Sequence, residues 1–381
     1  MAQNRGAFLA VNADYFAPNG DPLGLFIHDG ELISEPFRTR SAIGWSENRA
    51  FIDRPKWTAW IEAPNGLRLS INGINRPAST NELIVFSEAG STATASTNGM
   101  MFVFECDQSP TPEGVFEAKF KHVVPDVRSH PVRKGQWVVA ATGANQLRLL
   151  AGIQQNTTYK FEFHFEGSPG WKQARFALGG GPRLIRNGQV FVEYVEEGFD
   201  NDFALKRHPR TAIGITASGE IVLVVVDGRS KFSTGATLNE LAWIMRGLGC
   251  VEALNLDGGG SSTLYAGGAI LNRPSDGVER PVANALLLYA KLATNNLPAI
   301  QIVAPANTVT EGETIALRAL SAEGAEIPAN TVIWVAESPN VRVNQDGVVS
   351  ALAPGPARIR AMSLGISAQF QVQVQAKKPG S

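Results

Sequence analysis

Two aspartates stand where chemistry is expected. "EIVLVVVDGR" is an apolar run closed by Asp227, and "VEALNLDGGGSSTLY" is a second run closed by Asp257. Asp257 leads directly into Gly258, Gly259 and Gly260, then Ser261 and Ser262. Three consecutive glycines carry a high cost in backbone entropy. Such a loop can turn successive N–H groups toward one guest, and the serines add hydroxyl donors. A phosphate or sulfate group suits it. The purely structural alternative is a glycine turn packed on neighbouring backbone. A Walker loop is excluded, because no Gly-Lys-Ser/Thr follows and "TLYAGGAIL" reads as a hairpin. A single loop of this kind also excludes an aspartic protease pair.

Arginines surround these segments in the sequence. "RHPRTAIGI" holds Arg207, His208 and Arg210, "DGR" adds Arg229, and "NRPSDGVERPVANALLLY" adds Arg273 and Arg280. Guanidinium groups pair with phosphate bidentately. Together with two carboxylates they point to an anionic substrate. Near the start, "AVNADYF" puts Asn12 and Asp14 after an apolar run, either to reach the same cleft or to cap a turn.

Other chemistries fit poorly. His28, His122, His130, His164 and His208 show no metal-ligand spacing. No Gly-x-Ser-x-Gly elbow occurs. Cys106 and Cys250 form no zinc pattern and read as two buried thiols rather than a disulfide. Trp57, Trp60 and Trp171 read as core residues, with stacking on a sugar as the alternative.

The flanking segments carry the pattern of elements that would position the aspartates. The continuous run before Asp227 predicts a strand buried on both faces. "TGATLNELAWIMRGLG" predicts an amphipathic helix. Thr237 and Glu240 stand at capping-box spacing, and Leu238, Leu241, Ala242, Met245 and Leu248 share one face. Gly247 and Gly249 supply the stop. Strand, helix, strand is a βαβ order. If both strands lie in one sheet they run parallel, and both aspartates leave the same carboxyl edge, where ligands of open sheets bind.

The chain has 381 residues, 44% hydrophobic and 18% charged, with a formal net charge of -1. Those values belong to an ordinary globular protein and give no reason to expect nucleic acid or an anionic membrane as partner. No apolar stretch has transmembrane length. "AFLAV" begins close to Met1, so a natural protein with an earlier start or a leader is expected. The sequon Asn156-Thr157-Thr158 bears only on a eukaryotic secretory route.

Residues 1–292 read as one α+β unit with a mixed β-sheet containing the βαβ element. Turn pairs such as Asn65-Gly66 and Asn187-Gly188 mark hairpins. Residues 297–375 read as a small all-β sandwich of short strands at roughly ten-residue spacing. "NQDGVVSALAPGPARIRAMS" resembles a bacterial Ig-like domain of the second type, a spacer or adhesion module.

Taken in order, "AVNADYF", "GSTATASTNG", "LGGGPRLIRNG", "HPRTAIGI", "VVVDGRS", "GATLNELAWIMRGLGCVEALNLDGGGSSTLY" and "NRPSDGVERPVANALLLY" resemble the phosphodiester glycosidases. This chain has Ala13-Asp14 where many relatives have a glycine pair, so the resemblance assigns Asp14 no role. It implies hydrolysis of a sugar 1-phosphodiester, such as a GlcNAc-1-phosphodiester, to free sugar and phosphomonoester. The Ig-like resemblance points to a bacterial protein that is secreted, periplasmic or on the cell surface, and no membrane insertion is expected.

On this reading Arg210, Arg280, the backbone of Gly258, Gly259 and Gly260, and Ser261 hold the phosphate. Asp257 is base or nucleophile with Asp227 as its partner. Asn12 and Asn284 bind sugar hydroxyls or orient the acids. No cofactor is expected, with a divalent cation on Asp257 as the alternative. Two rival functions remain at this stage: P–O cleavage in a phosphorylated surface polymer, and glycan binding without catalysis.

Overall fold

The computed structural model describes residues 1–46, 49–289, 299–363 and 366–377. The junction between the two expected domains falls in 290–298, outside the described residues, as does most of the terminal "KKPGS". By proximity the chain forms two compact units. One comprises Asn12–Ser262 and Pro274–Ala285; the other comprises Met1–Val11, Thr263–Arg273 and Leu286–Ser381. Strand makes up 47% and helix 11%, so the fold is mostly β where an α+β balance was expected.

Among the described residues the larger unit holds three sheets. Eight strands form the first, in the order Arg68–Ile71, Lys56–Glu62, Thr158–Glu166, Gly114–Pro131, Thr92–Glu105, Gln136–Ala141, Leu83–Phe86 and Gly73–Ile74. Its inner face follows from alternation. In "TYKFEFHFE" the residues Tyr159, Phe161, Phe163 and Phe165 are buried, and the charged residues between them point outward. Trp137 meets Phe161 edge-on with centroids 5.3 Å apart. Each such ring contributes on the order of 2–3 kcal/mol by burial. A five-stranded antiparallel sheet follows, in the order Glu31–Ser34, Phe26–His28, Phe176–Gly179, Ala42–Trp45, Ala50–Asp53.

The third sheet carries the site. Its elements are β1 (Arg183–Arg186), β2 (Gln189–Val190), the short helix α1 (Asn201–Leu205), β3 (Arg210–Thr216), β4 (Ile221–Val226), α2 (Leu238–Gly247) and β5 (Cys250–Asn255). The strand order is β2-β1-β5-β3-β4. Asn187 and Gly188 both have positive φ, 49° and 75°, which makes the tight turn between β1 and β2.

Here α2 has the expected capping box, with Thr237 accepting from the Glu240 N–H and Glu240 from the Thr237 N–H. Leu238, Leu241, Ala242 and Met245 are buried against Ala212, Cys250 and Ala253. Leu248 was expected on that face. It lies past the last turn and is exposed.

Two expectations about this sheet need correction. Every neighbouring pair is antiparallel, so the sheet is not mixed. β4 and β5 do run parallel to each other, because each is antiparallel to β3 lying between them. The two strands thus share a direction without being neighbours. β4 is also an edge strand, and its residues are half-exposed or exposed rather than buried on both faces.

A further sheet has the order Ala269–Ile270, Leu264–Ala266, Leu9–Asn12 and Ala285–Leu288, and most of its residues belong to the smaller unit. The C-terminal strands form two larger groups. Thr308–Thr310, Ile366–Gln375, Gly355–Ser363 and Ile333–Ala336 make one; Thr314–Ala316, Val348–Ala351 and Val341–Val343 make the other. Both groups feed a single apolar cluster that includes Trp334, Val341, Val349, Ile359 and Val372.

Candidate active site

Asp257 leaves β5 at the edge where β3 begins and β4 ends. Its N–H donates to the Ala13 carbonyl at 2.9 Å, and its carbonyl accepts from Asn12 Nδ2 at 2.7 Å. The Asp257 backbone is thereby fixed from the far N-terminal end of the chain. Thr211 donates to Asn12 Oδ1 at 2.9 Å and lies 3.1 Å from Ser262 Oγ. Beneath them Asn255 donates to the Tyr15 hydroxyl at 2.7 Å and to the Gly181 carbonyl at 2.9 Å. These groups form a buried polar cluster, and such clusters are rigid when their bonds are made.

The Asp257 carboxylate is half-buried. Oδ1 accepts the Gly258 N–H at 2.9 Å. Burial raises its pKa, opposed by the Ser261 hydroxyl, the Gly258 N–H and the positive charge of Arg280. Ser261 Oγ is close enough to act on the carboxylate, yet it makes no hydrogen bond of normal geometry.

The three glycines now have separate reasons. A Cβ on Gly258 would stand 2.8 Å from the Pro209 carbonyl oxygen. Gly259 has φ +61°, in the left-handed region. A Cβ on Gly260 would stand 2.2 Å from both Arg280 Nη2 and Asp276 Oδ2. An open cradle of N–H groups was expected, but much of it is used internally. Gly258 donates to Asp257, Gly259 to Pro209 and Ser261 to the Gly258 carbonyl.

The arginines divide by role. Arg280 lies over Gly260 and pairs with Asp276 at 2.6 Å. Arg229 has φ 56° and brings its guanidinium beside Gly259. Its Nη2 lies 3.3 Å from His208 Nδ1. Burial and the nearby charges of Arg210 and Arg229 lower the His208 pKa. Among the described residues Arg229 has no carboxylate partner. Arg210 was expected on the phosphate. It is instead fully buried, with Nε donating to the Ala236 carbonyl at 3.0 Å and Nη2 to those of Phe203 and Lys206. Burial brings its pKa down to about 10. It acts as a clamp between the end of α1 and the start of α2.

Asp227 was expected as the partner of Asp257. β3 separates their strands, which places the two backbones about 10 Å apart at two strand spacings. Asp14 is the carboxyl that Asp257 does influence. It is buried, accepting the Tyr15 N–H at 2.7 Å and the Gly24 N–H at 2.8 Å. A Cβ on Gly24 or Gly179 would stand 2.4 Å from its Oδ2, so glycines build its slot. Burial raises its pKa to about 7, with Asp257 adding to the rise and Arg40 opposing it.

Asn284 accepts the Asp14 N–H at 2.9 Å and its carbonyl accepts from Ala13 at 3.3 Å. Asn12 and Asn284 thus hold the two acidic segments. Tyr15, Thr211 and Asn255 were missed, because each reads as an ordinary strand or turn residue until the N-terminal segment is folded against β5.

A divalent cation does not fit the donor set. Gly258 N–H, Ser261 hydroxyl and the Arg280 guanidinium face Asp257, and these are hydrogen-bond donors. Among the described residues no three His, Cys, Asp or Glu gather as metal ligands. Cys106 and Cys250 are free and buried. No helix among these residues is long and apolar enough to cross a membrane.

Fold and site together define a mostly β protein in which a carboxylate on a strand edge faces a glycine loop and arginines. Residues 91–289, just over half of the chain, match the phosphodiester glycosidase family, and the chain belongs to that family. A stretch of 82 residues is 43% identical to a prophage-derived uncharacterized protein of Bacillus subtilis (strain 168), covering 22% of this chain and 13% of that protein. Over 102 residues it is 37% identical to N-acetylglucosamine-1-phosphodiester alpha-N-acetylglucosaminidase of Bos taurus, covering 24% of this chain and 19% of the enzyme. The matches thus span less than a fifth of either relative. A solved hypothetical protein from Synechocystis superposes on 74% of this chain and 52% of its own, with 27% identity and a TM-score of 0.63.

Proposed function

We propose that the chain hydrolyses the C1–O bond of a sugar 1-phosphodiester, of which GlcNAc-1-phosphodiester is the model substrate. One arrangement carries the reading. The Asp257 carboxylate opens onto a loop flanked by Arg229, a cation with no carboxylate partner among the described residues, and by Arg280.

In this reading the phosphate lies against Arg229 and Arg280, with the Gly260 N–H and Ser261 hydroxyl beside it. Asp257 attacks C1 or takes a proton from the water that does. The water oxygen ends on C1, and the C1–O electron pair leaves with the phosphomonoester. An ordinary glycoside needs a carboxylic acid to protonate its leaving oxygen. A departing phosphomonoester is stabilised by the arginines instead. The raised pKa of Asp257 moves its basicity toward neutral pH, as suits a base. Asp14, neutral below about pH 7, keeps a second negative charge away from Asp257.

Residues 1–292 would form the catalytic domain. Residues 297–375 would form an Ig-like module of a secreted, periplasmic or cell-surface protein, with a phosphorylated surface glycan or polymer as substrate. The two strand groups around one apolar cluster support the module.

Hydrolysis in water labelled with oxygen-18 tests the bond. Label is expected in the released sugar. Label in the phosphate would replace this reading by P–O cleavage, and no product from any sugar 1-phosphodiester would leave a glycan-binding protein. Arg229→Gln is expected to lower kcat/KM by roughly 10²-fold, the loss of one well-placed charge donor, with the melting temperature unchanged. Unchanged kcat/KM would remove Arg229 from the site.

A further inference from the structure

A cleft of about 940 Å³ opens in the larger unit, lined by residues from 17–23, 34–38, 55–57 and 72–82. None of the residues assigned above to the phosphate or the reacting carboxylate lines it. Two aromatic rings, Phe37 and Trp57, contribute to its wall, and Asn19 and Asn72 place amides there. Trp57 is half-buried and anchored on the aromatic core, its ring 5.8 Å from Phe163. Rings and planar amides of this kind suit sugar faces and hydroxyls.

The charges of the cleft fall into two sets. Arg76 is held between Glu35 at 2.6 Å and Glu82 at 2.8 Å, and this fixes the floor. A Cβ on Gly73 would stand 2.4 Å from Glu35 Oε1, so the floor is closely fitted. Arg38 and Lys56 are exposed, and neither pairs with a carboxylate among the described residues. Arg38 holds φ 52° with its guanidinium 4.9 Å from the Phe37 ring centroid. The acid left outside the floor, Asp21, accepts from Asn19 Nδ2 at 2.5 Å.

The cleft is tied to the reacting acids through two walls. The segment 17–23 continues directly from Asp14 and Tyr15. Leu23 N–H donates to the Tyr15 carbonyl at 2.8 Å, and the next residue, Gly24, clamps Asp14. On the other wall Arg40 lies 4.7 Å from the Phe37 ring centroid and 5.0 Å from that of Tyr15.

We infer that this cleft is a second subsite, which holds the remainder of a phosphate-linked glycan chain while its terminal sugar 1-phosphodiester lies at Asp257. The inference rests on the catalytic reading for its substrate. The sugars stack on Trp57, and the phosphates between them meet Arg38 and Lys56. The cleft then selects chains over short diesters.

The test uses the full chain and two probes, a linear polymer of N-acetylglucosamine 1-phosphate and the methyl phosphodiester of the same sugar. Polymer binding is measured by calorimetry on Asp257→Asn protein, with and without Arg38→Glu and Lys56→Glu. Both added positions are exposed, so folding is preserved and is checked by circular dichroism. Polymer affinity is expected to fall at least about tenfold in the charge-reversed protein. In the wild-type background the same two changes should leave kcat/KM for the methyl diester within about twofold.

Equal polymer affinity with and without the two changes would overturn the subsite. So would equal losses on both probes, which would mark a general disturbance of the active centre. A neutral glucan that binds as tightly as the polymer, insensitive to the two changes, would overturn the choice of a phosphate-bearing ligand. Failure of the wild type to cleave either probe defeats the catalytic reading instead, and the binding comparison still decides the cleft.

Discussion

Asp257→Asn is expected to give a folded protein whose turnover of sugar 1-phosphodiesters is at least about 10³-fold lower, the scale associated with loss of a reacting base. The fold should survive because the contacts that fix this residue belong mainly to its backbone. Its N–H to Ala13 and its carbonyl to Asn12 are untouched. An amide oxygen can still accept the Gly258 N–H that Oδ1 now accepts at 2.9 Å. What disappears is the negative charge and the basic lone pair facing Ser261 and Arg280. Reducing sugar released from a panel of diesters, beside a thermal melt, measures both halves. Near-normal release would end the assignment of Asp257 as the reacting group.

The second large effect is on stability. Asp14 titrates at about 7 in the folded protein against 3.8 for the ordinary residue, because burial disfavours its charged form. Between these values the native state keeps the proton and the unfolded chain has lost it. The unfolded state then binds fewer protons, so unfolding free energy falls as pH rises across this window and levels off above about pH 7. At 1.36 kcal/mol per pKa unit the full change is about 4 kcal/mol.

Asp14→Asn cannot titrate. It loses one acceptor for the Tyr15 and Gly24 N–H groups, a roughly pH-independent cost of about 1–3 kcal/mol. Relative to wild type the variant should therefore be the less stable near pH 4.5 and, because about 4 kcal/mol exceeds that cost, the more stable by pH 8. Urea unfolding at the two pH values checks this. Parallel stability curves for the two proteins would mean that Asp14 is ionised throughout.

Much of the site sheet was legible from local pattern. The capping box from Thr237 to Glu240, the buried stripe of α2 and the shared edge of Asp227 and Asp257 all follow from short-range rules. The pairing of strands does not. Nothing within "RTAIGIT" says that β3 inserts between β4 and β5, yet that insertion sets the strands of Asp227 and Asp257 two spacings apart and leaves β4 at the edge. The contact from Asn12 to Asp257 spans 245 residues, beyond any periodicity. Asp14 was visible as a residue, but its slot is made by Gly24 and Gly179, which meet only in three dimensions. Arg210 shows the opposite failure. Its residue type suggests an anion, while burial among three carbonyl oxygens gives it a structural role.

The exposed position of β4 has a consequence for the life of the chain before it finishes folding. A run of six aliphatic residues at the edge of its sheet among the described residues is a template for intermolecular pairing and amyloid-like growth. Glu220 and Asp227 bracket that run. In an antiparallel encounter between two copies the acids would face each other, and like charges opposed across strands repel. Acids at both ends of an apolar edge run are the pattern of gatekeepers against self-association.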